Sequence, residues 1–190
     1  MKIFLEDTID KTIQTHLENL WTDDRDRQNK AYYYILKATD KSVDWAYEVW
    51  DELLANLSHK DNHNRAIAAQ VLSNLAKSDP ENRILKDFDK LLTVTKDERF
   101  VTARHCLQSL WKVGVAGNKQ RKIYMEGLER RFKECINEKN GTLIRYDIIQ
   151  SLRNVYDAIK DEKVKEKALE LIEMEEDPKY RKKYASLWKK

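Results

Sequence analysis

Two histidines flank an aspartate in the segment His59-x-Asp61-x-His63, and these residue types raise the question of a metal site. Imidazole and carboxylate groups bind zinc and similar ions, usually with four protein ligands in a structural site. No fourth ligand stands near this triplet, which spans the start of a predicted helix, where aspartate is a favoured N-cap residue. We therefore expect Asp61 to cap that helix, and we expect neither a metal nor a cofactor.

A second chemical possibility is proton transfer between His105 and Asp147. A histidine beside a carboxylate can act as a general base, although a hydrogen-bonded surface histidine explains the same pattern. Cys106 and Cys135 stand far apart, outside any CxxC motif and among apolar residues, which indicates buried free thiols rather than a disulfide or metal pair. The sequence contains no Gly-rich phosphate loop, and we assign no catalytic residue.

The helices that must position these residues are indicated by composition and periodicity. Four glycines and two prolines in 190 residues are too few for the many tight turns of a sandwich or barrel. Hydrophobic residues make up 41% of the chain, which is enough for a core, and they recur at helical spacing in about ten segments. We therefore predict an all-α protein that forms a single domain over residues 1–190.

The ends of several helices carry local signals. Asp79-Pro80 and Asp177-Pro178 each combine an N-cap aspartate with a proline suited to the first helical position. Thr95-x-x-Glu98 matches a capping box. These patterns predict three helix starts, in addition to a first helix over residues 3–20. The amphipathic stretch 178–190 is predicted to be a C-terminal capping helix with a basic outer side.

The strongest regularity is an internal repeat between alternate helices. The segment Leu72–Leu75 matches Leu107–Leu110 at an offset of 35 residues, and the latter matches Ile149–Leu152 at an offset of 42. Such offsets equal the length of two helices and two short turns. Because one helical hairpin cannot bury its apolar face alone, we expect successive hairpins to stack and share a continuous core.

The segment Asp61–Leu75 resembles the second helix of a HEAT repeat, in which a turn aspartate is followed by an arginine, here Arg65, and by small and aliphatic residues. The likeness is best over residues 60–160. It implies an alpha-solenoid of the armadillo type, a right-handed α-α superhelix of about five HEAT-like helical hairpins. It also implies that the second helix of each hairpin lines a concave groove, the usual partner-binding surface of such proteins.

Helical wheels of the predicted second helices identify the side chains that would face this groove, opposite the apolar stripes. They are Lys30, Tyr34, Lys37, Gln70, Lys77, His105, Gln108, Lys112, Asp147, Gln150 and Asn154. Ser73 occupies an equivalent outward position between Gln70 and Lys77. The strip is polar and mildly basic, which suits an acidic peptide or a nucleic-acid backbone. An ordinary solvated helix face is the alternative interpretation.

Two arginines are expected to have structural roles. Arg145 falls in the middle of the apolar stripe of its helix. Because an unpaired buried charge is costly, we expect its guanidinium to meet a carboxylate or carbonyl oxygens. Arg65 is expected to bond the turn aspartates Asp61 or Asp97.

The charge distribution limits the classes of partner. The net charge is +3, but residues 1–95 carry −4 and residues 96–190 carry +7, so a polyanion would meet the C-terminal half first. Nucleic acid therefore remains a possible partner for that half, whereas contact with a membrane surface is not expected. Glu6 and Asp7 interrupt any signal-peptide core, and no stretch is apolar for long enough to span a membrane. We expect a cytoplasmic protein.

Two functions fit these observations. The first is a non-enzymatic HEAT-like repeat scaffold that binds a protein or peptide partner in its concave groove. The alternative is a nucleic-acid-binding protein related to the alkylpurine DNA glycosylases, which the chain resembles in size class, helical repetition and tryptophan content. That family places aromatic residues and a catalytic aspartate in a basic cleft. Its active-site motif is not matched here, and Asp147 beside Tyr146, with Trp111 nearby, is the nearest substitute.

Overall fold

A computed structural model describes residues 9–189, and every regular element within that range is a helix. The α-helices in chain order are α1 (Lys11–Asn19), α2 (Arg25–Ala38), α3 (Ala46–Asn56), α4 (Asn62–Leu75), α5 (Ile84–Val94), α6 (Phe100–Ser109), α7 (Trp111–Ala116), α8 (Asn118–Glu134), α9 (Gly141–Ile159), α10 (Glu162–Glu173) and α11 (Pro178–Ser186). Short 3-10 turns follow α4 at Ala76–Ser78 and α8 at Cys135–Asn137. The prediction of an all-α protein is confirmed. Residues 3–8 of the predicted first helix lie outside the described range.

The helices form two rows that share one core. In what we call the second-helix row, α2, α4, α6 and α9 contact one another in that order, with α7 continuing α6. In the first-helix row, α1, α3, α5 and α8 each pack against a helix of the other row. Helices α10 and α11 both contact α9. Leu72, Leu107 and Ile149, the equivalent positions of the predicted repeat, are each 0% exposed in the core.

Polar side chains join each part of the chain to the part about one repeat further on. Gln28 donates to Asn64 across 36 positions of sequence, and Ser109 donates to Ser73 across another 36. Arg131, which is fully buried, donates to Thr95, again 36 positions away. These separations fall in the range of the offsets between the repeated motifs. Successive helix pairs are therefore connected by hydrogen bonds as well as by the apolar core.

Two of the predicted helix starts are confirmed. The Asp61 carboxylate accepts a hydrogen bond from the backbone N–H of His63, so Asp61 is the N-cap of α4. Asp177 caps α11, which has Pro178 in its first turn. The predicted capping helix over 178–190 is shorter in the structure, where it ends at Ser186; Tyr184 is buried in the core, and most of the basic residues described there remain exposed.

The predictions for α5 and α6 are wrong in their details. Asp79 is a capping residue, but its carboxylate accepts from the N–H groups of Arg83 and Ile84, so α5 begins four residues later than Pro80 suggests. The Thr95 capping box does not form. Its hydroxyl instead donates to the carbonyl of Leu92 and accepts from Arg131, and α6 begins only at Phe100.

Both arginines predicted to have structural roles are paired. Arg65 donates to the two carboxylate oxygens of Asp97 at 2.6 and 2.9 Å. Arg145 donates to the carbonyl of Phe132 at 3.0 Å and to Glu175 at 2.9 Å. The buried charges therefore have the partners that burial requires. These bonds connect helices from neighbouring parts of the stack.

The two cysteines are free and buried, as predicted. Cys106 donates to the carbonyl of Leu91 at 3.3 Å in the core between α5 and α6. Burial strongly raises the pKa of the Cys106 thiol, and it also raises the pKa of Cys135. Because the thiolate is the reactive form, neither side chain is suited to nucleophilic chemistry.

Acid is expected to destabilise the protein partly through Asp61. Burial opposes ionisation of this carboxyl, but hydrogen bonds from Arg25 and from the His63 N–H outweigh it and lower its pKa from 3.8 to about 2. A carboxyl with a depressed pKa in the folded state stabilises the fold above its unfolded pKa, and this stabilisation is lost as pH falls through the folded pKa. We expect wild type and Asp61→Asn to differ in free energy of unfolding at about pH 5 and to converge near about pH 2.

Urea unfolding followed at several pH values measures this convergence. Asp23→Asn, at an exposed position outside the helices, controls for the general loss of an acidic charge. A difference between wild type and Asp61→Asn that stays constant down to the acid end of the series would contradict the role given to Asp61.

Candidate partner-binding surface

Most of the α4 surface is covered by neighbouring helices. Asn64 accepts a hydrogen bond from α2 on one flank, and Ser73 accepts one from α6 on the other. The prediction that Ser73 points outward is therefore wrong, because α6 packs over it and leaves it 0% exposed. Gln70 and Lys77, two helical turns apart, lie between these flanks and stay partly exposed.

On α6 the same arrangement leaves one exposed face. Ser109 donates to α4 on one side, and Arg104 donates to α9 on the other. Between them lie Val101, His105 and Gln108, at the spacing i, i+4 and i+7 that places residues on one side of a helix. All three are exposed, Val101 to 63%. We call the surface of the second-helix row that points away from the first-helix row the outer face. Its side chains are Gln70, Lys77, Val101, His105, Gln108, Lys112, Gln150 and Asn154.

Asp147 was predicted to belong to the outer face, and the structure corrects this. Its two carboxylate oxygens accept from Arg104 at 2.7 and 2.9 Å, and the residue is only 3% exposed. The reason is that Arg104 extends from α6 across the gap to α9 and covers the carboxylate. The proton-transfer pair with His105 is not formed, because Asp147 is engaged by arginine. On α9, Gln150 and Asn154 remain partly exposed and bond to each other at 2.9 Å.

The predicted residues of α2 lie at the margin of the outer face. Tyr32 marks the side of α2 nearest to α4, since its hydroxyl donates to a side-chain amide there at 2.7 Å. Lys30, Tyr34 and Lys37 are exposed but lie about 140–200° around the helix from Tyr32. They are therefore on the flank turned away from α4. The Tyr34 ring stacks on His16 of α1, with 3.9 Å between the ring centroids.

Two lysines from successive helix pairs meet on the outer face. Lys77 donates to the backbone carbonyl of Asp40 at 2.7 Å, and Lys112 donates to the side-chain oxygen of Asn74. Within residues 9–189, neither ammonium group has a carboxylate oxygen within 4.0 Å. Burial lowers the pKa of Lys112 below its usual value, the Asp40 carboxylate opposes this shift, and the charge of Lys77 adds a smaller lowering.

Asn74 is the residue of this surface that helical wheels missed. It is 0% exposed, and its amide nitrogen donates to the Thr39 hydroxyl at 3.0 Å and to the carbonyl of Leu36 at 3.2 Å. Both bonds go to α2 and its C-terminal end, so the amide is fixed with its oxygen toward Lys112. The available signal was an asparagine directly beside Leu75, a core position of the repeated motif, since a polar group that is buried there needs partners.

A cavity of about 660 Å³ lies elsewhere, between α8 and α10. Its charged side chains mostly pair with each other. Lys167 contacts Glu129 at 2.8 Å and Glu170 at 2.7 Å, and Arg121 contacts Asp161 at 3.3 Å. Four basic and three acidic side chains line the cavity, so it has no marked preference for one sign of charge. We therefore place the candidate site on the outer face rather than in this cavity.

The triplet that suggested a metal site serves the start of α4. His59 accepts the backbone N–H of Asp61 at its Nδ1 atom, and the Asp61 carboxylate pairs with Arg25. In the part of the chain that the structure describes, no group of three or more His, Cys, Asp and Glu side chains is placed to hold a metal ion. In the same range, none of the helices combines the length and apolar character needed to cross a membrane.

These features define an all-helical protein with paired helices and a polar outer face on which Lys77 and Lys112 bond neutral oxygens of the chain. A comparison with models of known protein families gives no match, and a comparison with curated proteins gives none either.

Proposed function

We propose that the protein is a non-enzymatic HEAT-like repeat scaffold that binds an acidic segment of a protein partner on its outer face. In this proposal the chain forms five helical hairpins of a right-handed superhelix. The hairpins are α1–α2, α3–α4, α5 with α6 and α7, α8–α9 and α10–α11. The order of helix contacts and the hydrogen bonds across 36 positions support this assignment. The outer face is then the concave groove.

The observation that carries the proposal is that Lys77 and Lys112 bond neutral oxygens and, within the described residues, form no ion pair with a carboxylate. On α6 and α9, by contrast, the arginines are neutralised by the chain itself: Arg104 pairs with Asp147, and Arg153 pairs with Asp157 at 2.8 Å. A surface that leaves two neighbouring ammonium groups unpaired is complementary to an anionic partner. Exposed Val101 beside polar side chains gives this surface the mixed composition of protein interfaces.

The alternative of a glycosylase-like nucleic-acid enzyme receives no support from the site. Its substitute catalytic residue, Asp147, is buried and held at both oxygens by Arg104, so it is not free to activate a nucleophile. A phosphate backbone is usually met by a continuous row of cations. The outer face has no such row, because the neutral side chains Gln108, Gln150 and Asn154 follow Lys77 and Lys112 across it.

Binding of three probes tests the proposal: a Glu-rich peptide, a Lys-rich peptide of equal length and a duplex DNA, each measured by fluorescence anisotropy. We expect the Glu-rich peptide to bind and to shift the NMR signals of Gln70, His105 and Gln108. The double variant Val101→Glu with Gln108→Glu should weaken this binding by about tenfold or more, because like charges across an interface repel.

Lys86→Glu is the matched control, since Lys86 is exposed on α5 in the first-helix row. Like the double variant, it makes the net charge more negative by two, but it does so away from the outer face. It should therefore alter binding little. Absence of peptide binding at low salt, or equal weakening by the control, would overturn the proposal. Tight DNA binding that weakens steeply with salt would favour the nucleic-acid alternative.

A further inference from the structure

We propose that Lys77 and Lys112, the latter positioned by Asn74, form a preorganised oxyanion site that takes one carboxylate side chain of the bound segment. This inference rests on the proposed function and names the group of the partner that is recognised. It also assigns the residues that recognise that group.

The site is built where the C-terminal ends of α2 and α4 meet α7. The Asp40 carbonyl at the end of α2 holds Lys77, and the Asn74 amide of α4 holds Lys112 of α7. A lysine ammonium group has three donors. Each one uses a donor on a neutral oxygen of the protein, which fixes its position without neutralising its charge. The remaining donors are available to an anion that lies between the two groups.

Asn74 makes the site rigid. Its two donor bonds to Thr39 and to the Leu36 carbonyl prevent the buried amide from turning over, so the oxygen that receives Lys112 is fixed. The Lys112 ammonium also lies 6.0 Å from the centroid of the Trp111 ring. A long side chain that is already ordered loses less conformational entropy on binding, which favours affinity.

Both ammonium groups keep donors for one oxyanion, and the Asp40 carboxylate, which acts on Lys112 more strongly than the charge of Lys77 does, does not occupy them. An oxyanion that contacts both groups gains two charge-assisted hydrogen bonds. The Asp40 carboxylate is close enough to affect Lys112, so it offsets part of the positive charge. A singly charged carboxylate fits this balance better than a doubly charged phosphate.

The decisive experiment follows the lysine Cε signals of the full chain by NMR during a pH titration. We expect the Glu-rich peptide, and at higher concentration glutarate, to raise the pKa of Lys112, because a bound anion stabilises the protonated amine. Lys77→Met and Lys112→Met should each weaken the peptide by about tenfold or more, since a close charge pair is removed. Lys86→Met, at the exposed α5 position, is the control and should leave affinity unchanged.

The outcomes separate this inference from the proposed function. If the peptide binds the outer face but neither lysine variant weakens it and the pKa of Lys112 does not rise, the oxyanion site is wrong and the scaffold proposal stands. If glutarate raises the pKa of Lys112 in wild type and not in Lys77→Met, while no peptide binds, the site is supported and the scaffold proposal fails. Inorganic phosphate or duplex DNA acting on Lys112 more strongly than glutarate would overturn the choice of carboxylate.

Discussion

Replacement of Glu175 by alanine is expected to lower the free energy of unfolding by about 3–5 kcal/mol. Glu175 is the carboxylate partner of Arg145, and the two side chains are 8% and 7% exposed. The Arg145 guanidinium also lies over the Phe132 ring, 4.4 Å from its centroid. Removing the carboxylate leaves a buried positive charge whose remaining partner is a carbonyl, and an uncompensated buried charge is strongly destabilising.

Urea unfolding monitored by circular dichroism measures this loss. Glu176→Ala is the matched control, because Glu176 is the next residue and is exposed. It should change the free energy of unfolding by no more than about 0.5 kcal/mol. The pair Glu175→Leu with Arg145→Met should be less destabilised than Glu175→Ala, since apolar residues can replace a buried ion pair. Equal stability of Glu175→Ala and Glu176→Ala would show that the buried pair has no such role.

Replacement of Gly141 by alanine is expected to cost about 1–3 kcal/mol. Gly141 is the first residue of α9, where the helix packs closely against the 3-10 turn Cys135–Asn137. A Cβ atom at this position would lie 2.3 Å from the backbone carbonyl oxygen of Cys135. Backbone has to move to relieve this contact. Helix propensity alone predicts the opposite, since alanine is favoured over glycine by about 1 kcal/mol within a helix.

Gly117→Ala provides the comparison for this prediction. Its Cβ would meet the Gln120 side-chain amide, with the oxygen at 2.5 Å, so relief requires a shift of one side chain and its hydrogen bond to Asn82 rather than of backbone. The backbone φ of Gly117 is 171°, an extended value that any residue adopts. We expect a much smaller loss for Gly117→Ala in the same thermal or urea unfolding assay. A stabilised Gly141→Ala would mean that the turn is not packed as the structure has it.

The Glu175 and Gly141 substitutions also test whether peptide binding on the outer face depends on the stability of α9. Gly141 and the Arg145–Glu175 pair fix α9 against the turn Cys135–Asn137 and the α10–α11 region, whereas Lys77 lies in the turn after α4 and Lys112 lies on α7. A variant that loses stability at α9 and still binds the Glu-rich peptide in its folded state would separate the integrity of the stack from recognition of the partner.

Several properties followed from the sequence because they depend on short-range pattern. Apolar residues at helical spacing indicated an all-α protein, and the repeated motifs identified Leu72, Leu107 and Ile149 as equivalent core positions, each of which is fully buried. The position of Arg145 within an apolar stripe was sufficient to predict a buried partner. In each case the residue and its own helix contain the required information, because helix geometry fixes which side chains share a face.

Other properties were decided only by the tertiary structure. A helical wheel shows the face opposite the core but does not show how neighbouring helices cover the two flanks. Ser73 and Asp147 were placed outward for this reason, and α6 and Arg104 bury them. Asn74 became part of the outer face only because its amide reaches both α2 and Lys112. Contacts of this kind depend on the spacing of helices far apart in sequence, which local periodicity does not specify.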